Sequence, residues 1–146
     1  SKPNISIYIG LIITSVLFGF LHYFNFNATV ISSINLAFIG LLYGYAYVAT
    51  GSLALPIGLH FAWNFTQAQV FGLNVSGFPP MVSFLNTEYL SDINLTGGNF
   101  GPEGGIVILI SVIVGLFWIF KISKVNKSKK INNFANVKSS IINFYL

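Results

Sequence analysis

Two histidines and one asparagine stand where chemistry could be done. His22 ends a run of apolar residues and His60 lies inside another. A polar side chain in such a setting costs several kcal/mol unless it finds a partner. Each has a companion one helical turn away, Phe18 four residues before His22 and Asn64 four residues after His60. Side chains four apart share one face of a helix. An imidazole nitrogen and a carboxamide donor aimed at one point suit the polarisation of a water or the stabilisation of an oxyanion. The ordinary alternative is that each histidine only hydrogen-bonds a neighbouring helix. Cysteine is absent, so a metal would have to rest on His, Asn or carboxylate ligands.

The surroundings that must position these groups are those of a membrane protein. Of 146 residues, 54% are hydrophobic and 7% charged, too few charges to cover a water-soluble domain. The expected fold is all-α, an integral membrane bundle of about four transmembrane helices. The first spans Ile5 to His22 with no polar face. A short polar stretch with Asn25, Asn27, Ser32 and Ser33 follows. The second helix is expected over Ile34 to Thr50, where Gly40 and Gly44 form a small-xxx-small face. Gly51 and Ser52 end it. The third begins near Leu53, with Pro56 in its first turn, and reaches about Gly72. Asn74 to Gly105 reads as a long loop holding all three acidic residues, Glu88, Asp92 and Glu103. Ile106 to Phe120 forms the fourth helix.

No arginine is present, and six of the seven lysines are Lys121, Lys124, Lys127, Lys129, Lys130 and Lys138. A lysine-rich tail after a membrane helix reads as an anchor to lipid headgroups, and nucleic acid is set aside as a partner. The same rule places the tail in the cytoplasm, with Lys2 on that side after four crossings and the acidic loop outside. The chain divides into a membrane domain, residues 1–122, and a basic cytoplasmic tail, 123–146. Composition, with Lys and Asn but no Arg, leans towards a bacterial plasma membrane.

Phe18-Gly19-Phe20-Leu21-His22 resembles the FxxxH motif, and His60-Phe61-Ala62-Trp63-Asn64 the HxxxN motif, of the CPBP intramembrane proteases, also called the Abi or type II CAAX prenyl endopeptidase family. The stretch from Gly44 through Thr50-Gly51-Ser52-Leu53 is similar to that preceding HxxxN in bacterial members. Gly97-Gly98-Asn99-Phe100-Gly101-Pro102-Glu103-Gly104 resembles a loop found after it.

The resemblance implies an endopeptidase that cleaves prenylated or other membrane-associated peptides with activated water. It makes His22, His60 and Asn64 the catalytic set, with Phe18 in support. His22 and His60 become candidate ligands of a divalent metal such as zinc, with no other cofactor implied. The implied partners are membrane lipids and a peptide or prenylated protein substrate. The family's EExxxR motif has no counterpart before Phe18, and the chain starts with Ser1. The expectation is therefore the C-terminal part of a longer enzyme, the alternative being a degenerate member inactive by itself. Two further readings stand beside the enzyme: a non-catalytic scaffold or bacteriocin self-immunity protein, and a small transporter whose histidines relay protons.

Glu103 reads as a solvated loop carboxylate or a partner for the start of the fourth helix. One expectation concerns distance. With the first and third helices rising from the same side, His22 falls late and His60 early, about 15 Å apart along the axis at 1.5 Å per residue.

Overall fold

The computed structural model describes residues 5–88 and 93–124. Lys2, Asp92 and the tail beyond Lys124 lie outside them. The described residues form five α-helices: α1 (Ile5–His22), α2 (Val30–Thr50), α3 (Ala54–Phe65), α4 (Ile93–Thr96) and α5 (Val107–Lys124). Three of them, α1, α2 and α5, are long and apolar enough to cross a membrane. The protein is an integral membrane bundle.

The distribution of side chains is inverted relative to a water-soluble helix pair. The buried residues of α1 are Ser15 and Gly19 alone, while Ile9, Ile12, Ile13, Val16 and Leu17 are exposed. Lipid solvates large aliphatic groups as well as a core would, so the contact between helices falls to small residues that let backbones approach. α1 and α2 run antiparallel along such a seam. A Cβ on Gly40 would sit 3.1 Å from Ser15 Cα, and one on Gly44 would sit 3.0 Å from Leu11 Cδ1. The small-xxx-small face read from the sequence is the face that packs on α1. At the other end of the seam, a Cβ on Gly19 would run into the Ser33 carbonyl and lie 2.9 Å from Ala37 N.

Leu36, Ile39, Leu42 and Ala46 on the other side of α2 meet Ile108, Val112 and Ile119 of α5 and Phe100 before it. α2 is thus the central helix. It begins four residues earlier than the sequence suggests, because Thr29 and Ser32 form a capping box: the Thr29 hydroxyl accepts from Ser32 N, and the Ser32 hydroxyl accepts from Thr29 N. The serines taken for a linker are therefore helical. At its far end Gly51 adopts φ 68° and donates its N–H to Tyr47 O, the left-handed stop expected of glycine.

α3 is shorter than expected. Twelve α-helical residues pass into a π-helical turn, Thr66–Val70, so the third segment falls short of the long spans. The wide turn leaves the carbonyls of Gln69 and Val70 to accept from Phe84 N and Leu85 N, tying the following loop back to the helix end. The region from Asn74 to Gly105 is not a plain loop. It contains α4, an isolated bridge between Val75 and Phe78, and two 3-10 turns, Gly98–Phe100 and Pro102–Gly104.

Candidate functional site

The motif residues converge on one aromatic ring. Phe18, on α1, has its ring centroid 4.5 Å from that of His22 and 6.1 Å from that of His60. Tyr43 of α2 completes the cluster: it stacks on His60 at 5.2 Å and meets Phe18 edge-on at 6.4 Å. The axial gap between the two histidines is reduced in a simple way. Helical side chains lean towards the N-terminus, and His22 folds back one turn so that its Nδ1 lies 2.6 Å from Phe18 O. Phe18 then spans the remaining distance to His60.

That bond also sets the chemistry of His22. A carbonyl oxygen can only accept, so Nδ1 carries the proton of that bond, and in the neutral imidazole Nε2 is the nitrogen that holds the lone pair. His22 is half-buried, and His60 is exposed on the surface of α3. Asn64 sits one turn beyond His60, half-buried, on the same helix stripe.

Glu103 departs from expectation. It is neither a solvated carboxylate nor a partner for the start of α5: only 2% of its surface is exposed. Its Oε1 accepts from Trp63 Nε1 at 3.2 Å. Its Oε2 accepts from Gln67 Nε2 at 3.0 Å and from Ser76 N at 2.9 Å. Its backbone carbonyl accepts from Asn35 Nδ2 of α2 at 2.9 Å, and the same amide reaches Gly105 O at 3.0 Å. Burial pushes the Glu103 carboxyl above the usual carboxylate range, and the three donors oppose that rise. The glycines around it make room. Gly101, at φ 103°, packs against the Asn74 carbonyl and Gln67, where a Cβ would not fit.

Tyr43 and Trp63 were not among the residues singled out from the sequence, and neither was Gln67. Tyr43 carried one signal, a phenol between the two glycines of the α2 seam. Glu103 carried another, a single acid set among glycines, since a glycine-rich turn is what a buried carboxylate needs around it.

The donor set is short for a metal. Among the described residues no three His, Cys, Asp or Glu side chains gather, so His22 and His60 have no carboxylate beside them and Glu103 does not join them. Catalytic zinc takes three protein ligands, and these groups alone do not fit it.

A comparison with curated proteins and with solved structures gives no match. Residues 2–66 match the family model described as Type II CAAX prenyl endopeptidase Rce1-like. That stretch holds α1, α2 and all of α3, and it stops before Glu103. The match bears out the resemblance: the segment that carries Phe18, His22, His60 and Asn64, and that brings the first three into one cluster, is the segment that matches the type II CAAX prenyl endopeptidase family.

Proposed function

We propose that the protein is the FxxxH and HxxxN half of a CAAX-type intramembrane endopeptidase. The observation that carries this reading is the Phe18 ring in contact with both imidazoles, which draws two helices' motif residues into one cluster. His22, with its Nε2 lone pair directed away from the Phe18 bond, and His60 polarise a water. Its oxygen adds to a peptide carbonyl, Asn64 Nδ2 donates to the oxyanion, and the C–N bond breaks as the water's proton passes to the leaving nitrogen. In the family that these motifs resemble, a glutamate works with the histidines to activate the water. His22 and His60 alone do not complete the ligand set of a divalent ion such as zinc among the described residues, and the water is activated here by the side chains themselves.

The substrate class is a prenylated CAAX protein or another membrane-associated peptide. Lys121 and Lys124, in the last turn of α5, support a cytoplasmic position for that helix end, in our reading of a bacterial plasma membrane protein. The test is release of the C-terminal tripeptide from a farnesylated peptide by the full-length protein carrying these residues, in lipid vesicles. His22→Ala and His60→Ala should each lower the rate at least about a hundredfold, and Asn64→Ala about 10²–10³-fold. Cleavage at the parent rate by either histidine variant would sink the reading.

A further inference from the structure

Beyond the motif residues, the stripe of α3 that carries His60 and Asn64 includes Trp63 and runs on to Gln67 in the π-helical turn, at spacings of three, four and seven from His60. His60 meets Phe18 and Tyr43 at the prospective site. Two other members of the stripe donate to one carboxylate, Trp63 Nε1 to Oε1 and Gln67 Nε2 to Oε2 of Glu103. That carboxylate belongs to a turn fixed to α2, since Asn35 Nδ2 holds Glu103 O and Gly105 O together. A helix gripped at two points of one stripe is no longer free to rotate about its axis. The grip is long-range in sequence, with 40 residues between Trp63 and Glu103 and 68 between Asn35 and Glu103. Glu103 is among the largest fully buried side chains of the described residues. Removing it would leave the Trp63 indole and the Ser76 backbone donor without an acceptor, and Gln67 Nε2 with Asn74 O alone.

We propose that Glu103 is a positioning residue: through Trp63 and Gln67 it fixes the rotation of α3 and thereby aims His60 and Asn64 at the face of α1 that carries Phe18 and His22. For its consequence on cleavage this rests on the peptidase reading. For its effect on His60 it does not.

The two sides of the grip can be altered separately. Glu103→Gln keeps an acceptor for Gln67 and Ser76 but turns an NH₂ group against Trp63 Nε1–H. Trp63→Phe removes the indole donor and keeps an aromatic ring. The readout is the imidazole signals of ¹⁵N-histidine-labelled protein in lipid bilayers, assigned with His60→Gln, together with kcat and KM on the farnesylated peptide. Each single variant should displace the His60 signal, leave that of His22 in place, and lower kcat at least tenfold with KM within twofold. The double variant should be no worse than Glu103→Gln alone, because the opposed N–H groups are gone. An unmoved His60 signal in both single variants overturns the proposal. So does joint loss of both imidazole signals in Trp63→Phe, since Glu103 would then support the whole fold and not the aim of α3. A wild-type protein that cleaves nothing, yet shows the selective His60 displacement, would sink the peptidase reading and leave the positioning role standing.

Discussion

The α1–α2 seam and the α3–Glu103 clasp join helices by opposite means. The seam is made of small residues: Gly19, Gly40, Gly44 and Ser15 bring backbones together, and the Ser15 hydroxyl turns to Leu11 O on its own helix. The clasp is made of polar groups around one buried carboxylate. The difference follows from the solvent at each place. Between lipid-facing helices apolar burial gains little, so shape decides. Where the turns of Asn74–Gly105 cover the helix ends, unpaired backbone and side-chain donors would be costly, so hydrogen-bond satisfaction decides.

The two joints should therefore fail differently. The largest loss is expected from Glu103→Leu, which strands two half-buried donors, Trp63 Nε1 and Ser76 N, at about 1–3 kcal/mol each and leaves Gln67 Nε2 with Asn74 O alone. Chemical unfolding in detergent should register it, and a loss below about 1 kcal/mol would mean the clasp is replaceable by apolar packing. Next comes a graded series along the seam. Gly19→Ala meets backbone atoms of Ser33 and Ala37 and should cost about 2–3 kcal/mol. Gly40→Ala, against Ser15 Cα, should cost less, and Gly44→Ala, against the movable end of Leu11, least. Gly10→Ala, on α1, has nothing within 4 Å and serves as the neutral reference. Equal effects at all four positions would show that shape does not govern this contact.

The smallest effect is a pH slope. With its folded pKa above the value of 4.5 it has in an open chain, Glu103 binds its proton more tightly in the folded protein. The stability it contributes is present below pH 4.5 and is lost as pH rises through the folded pKa. Unfolding midpoints measured upward from pH 4 should fall in the parent protein, and Glu103→Gln should flatten that slope. An identical slope in the variant would place the titration elsewhere.

How much of this was legible in the sequence follows the same division. Ile5–His22 could be read residue for residue, and so could the Gly40–Gly44 face and the Gly51 stop, because each depends on local spacing and backbone freedom alone. The start of α2 was missed because serines beside a threonine cap look like a linker until the reciprocal bonds are counted. Tyr43 and Glu103 each carried a local signal, but what they touch was out of reach for a different reason. Their partners lie 17 and 40 residues away and are chosen by how helices cross, which periodicity does not encode. The motif pairs were visible, but their meeting at Phe18 was not, since it depends on the backward lean of His22.

The π-helical turn at Thr66–Val70 bears on how the chain tolerates changes of length. Such a turn holds one residue more than an α-helical turn, so shortening it by one would extend regular helix past Asn64 without touching the HxxxN spacing. The carbonyls of Gln69 and Val70 would then close on the helix and release Phe84 and Leu85. The motif and the loop beyond it are in this sense separately adjustable: one surplus residue keeps the membrane-facing half in phase with α2 while letting the outer half be rebuilt.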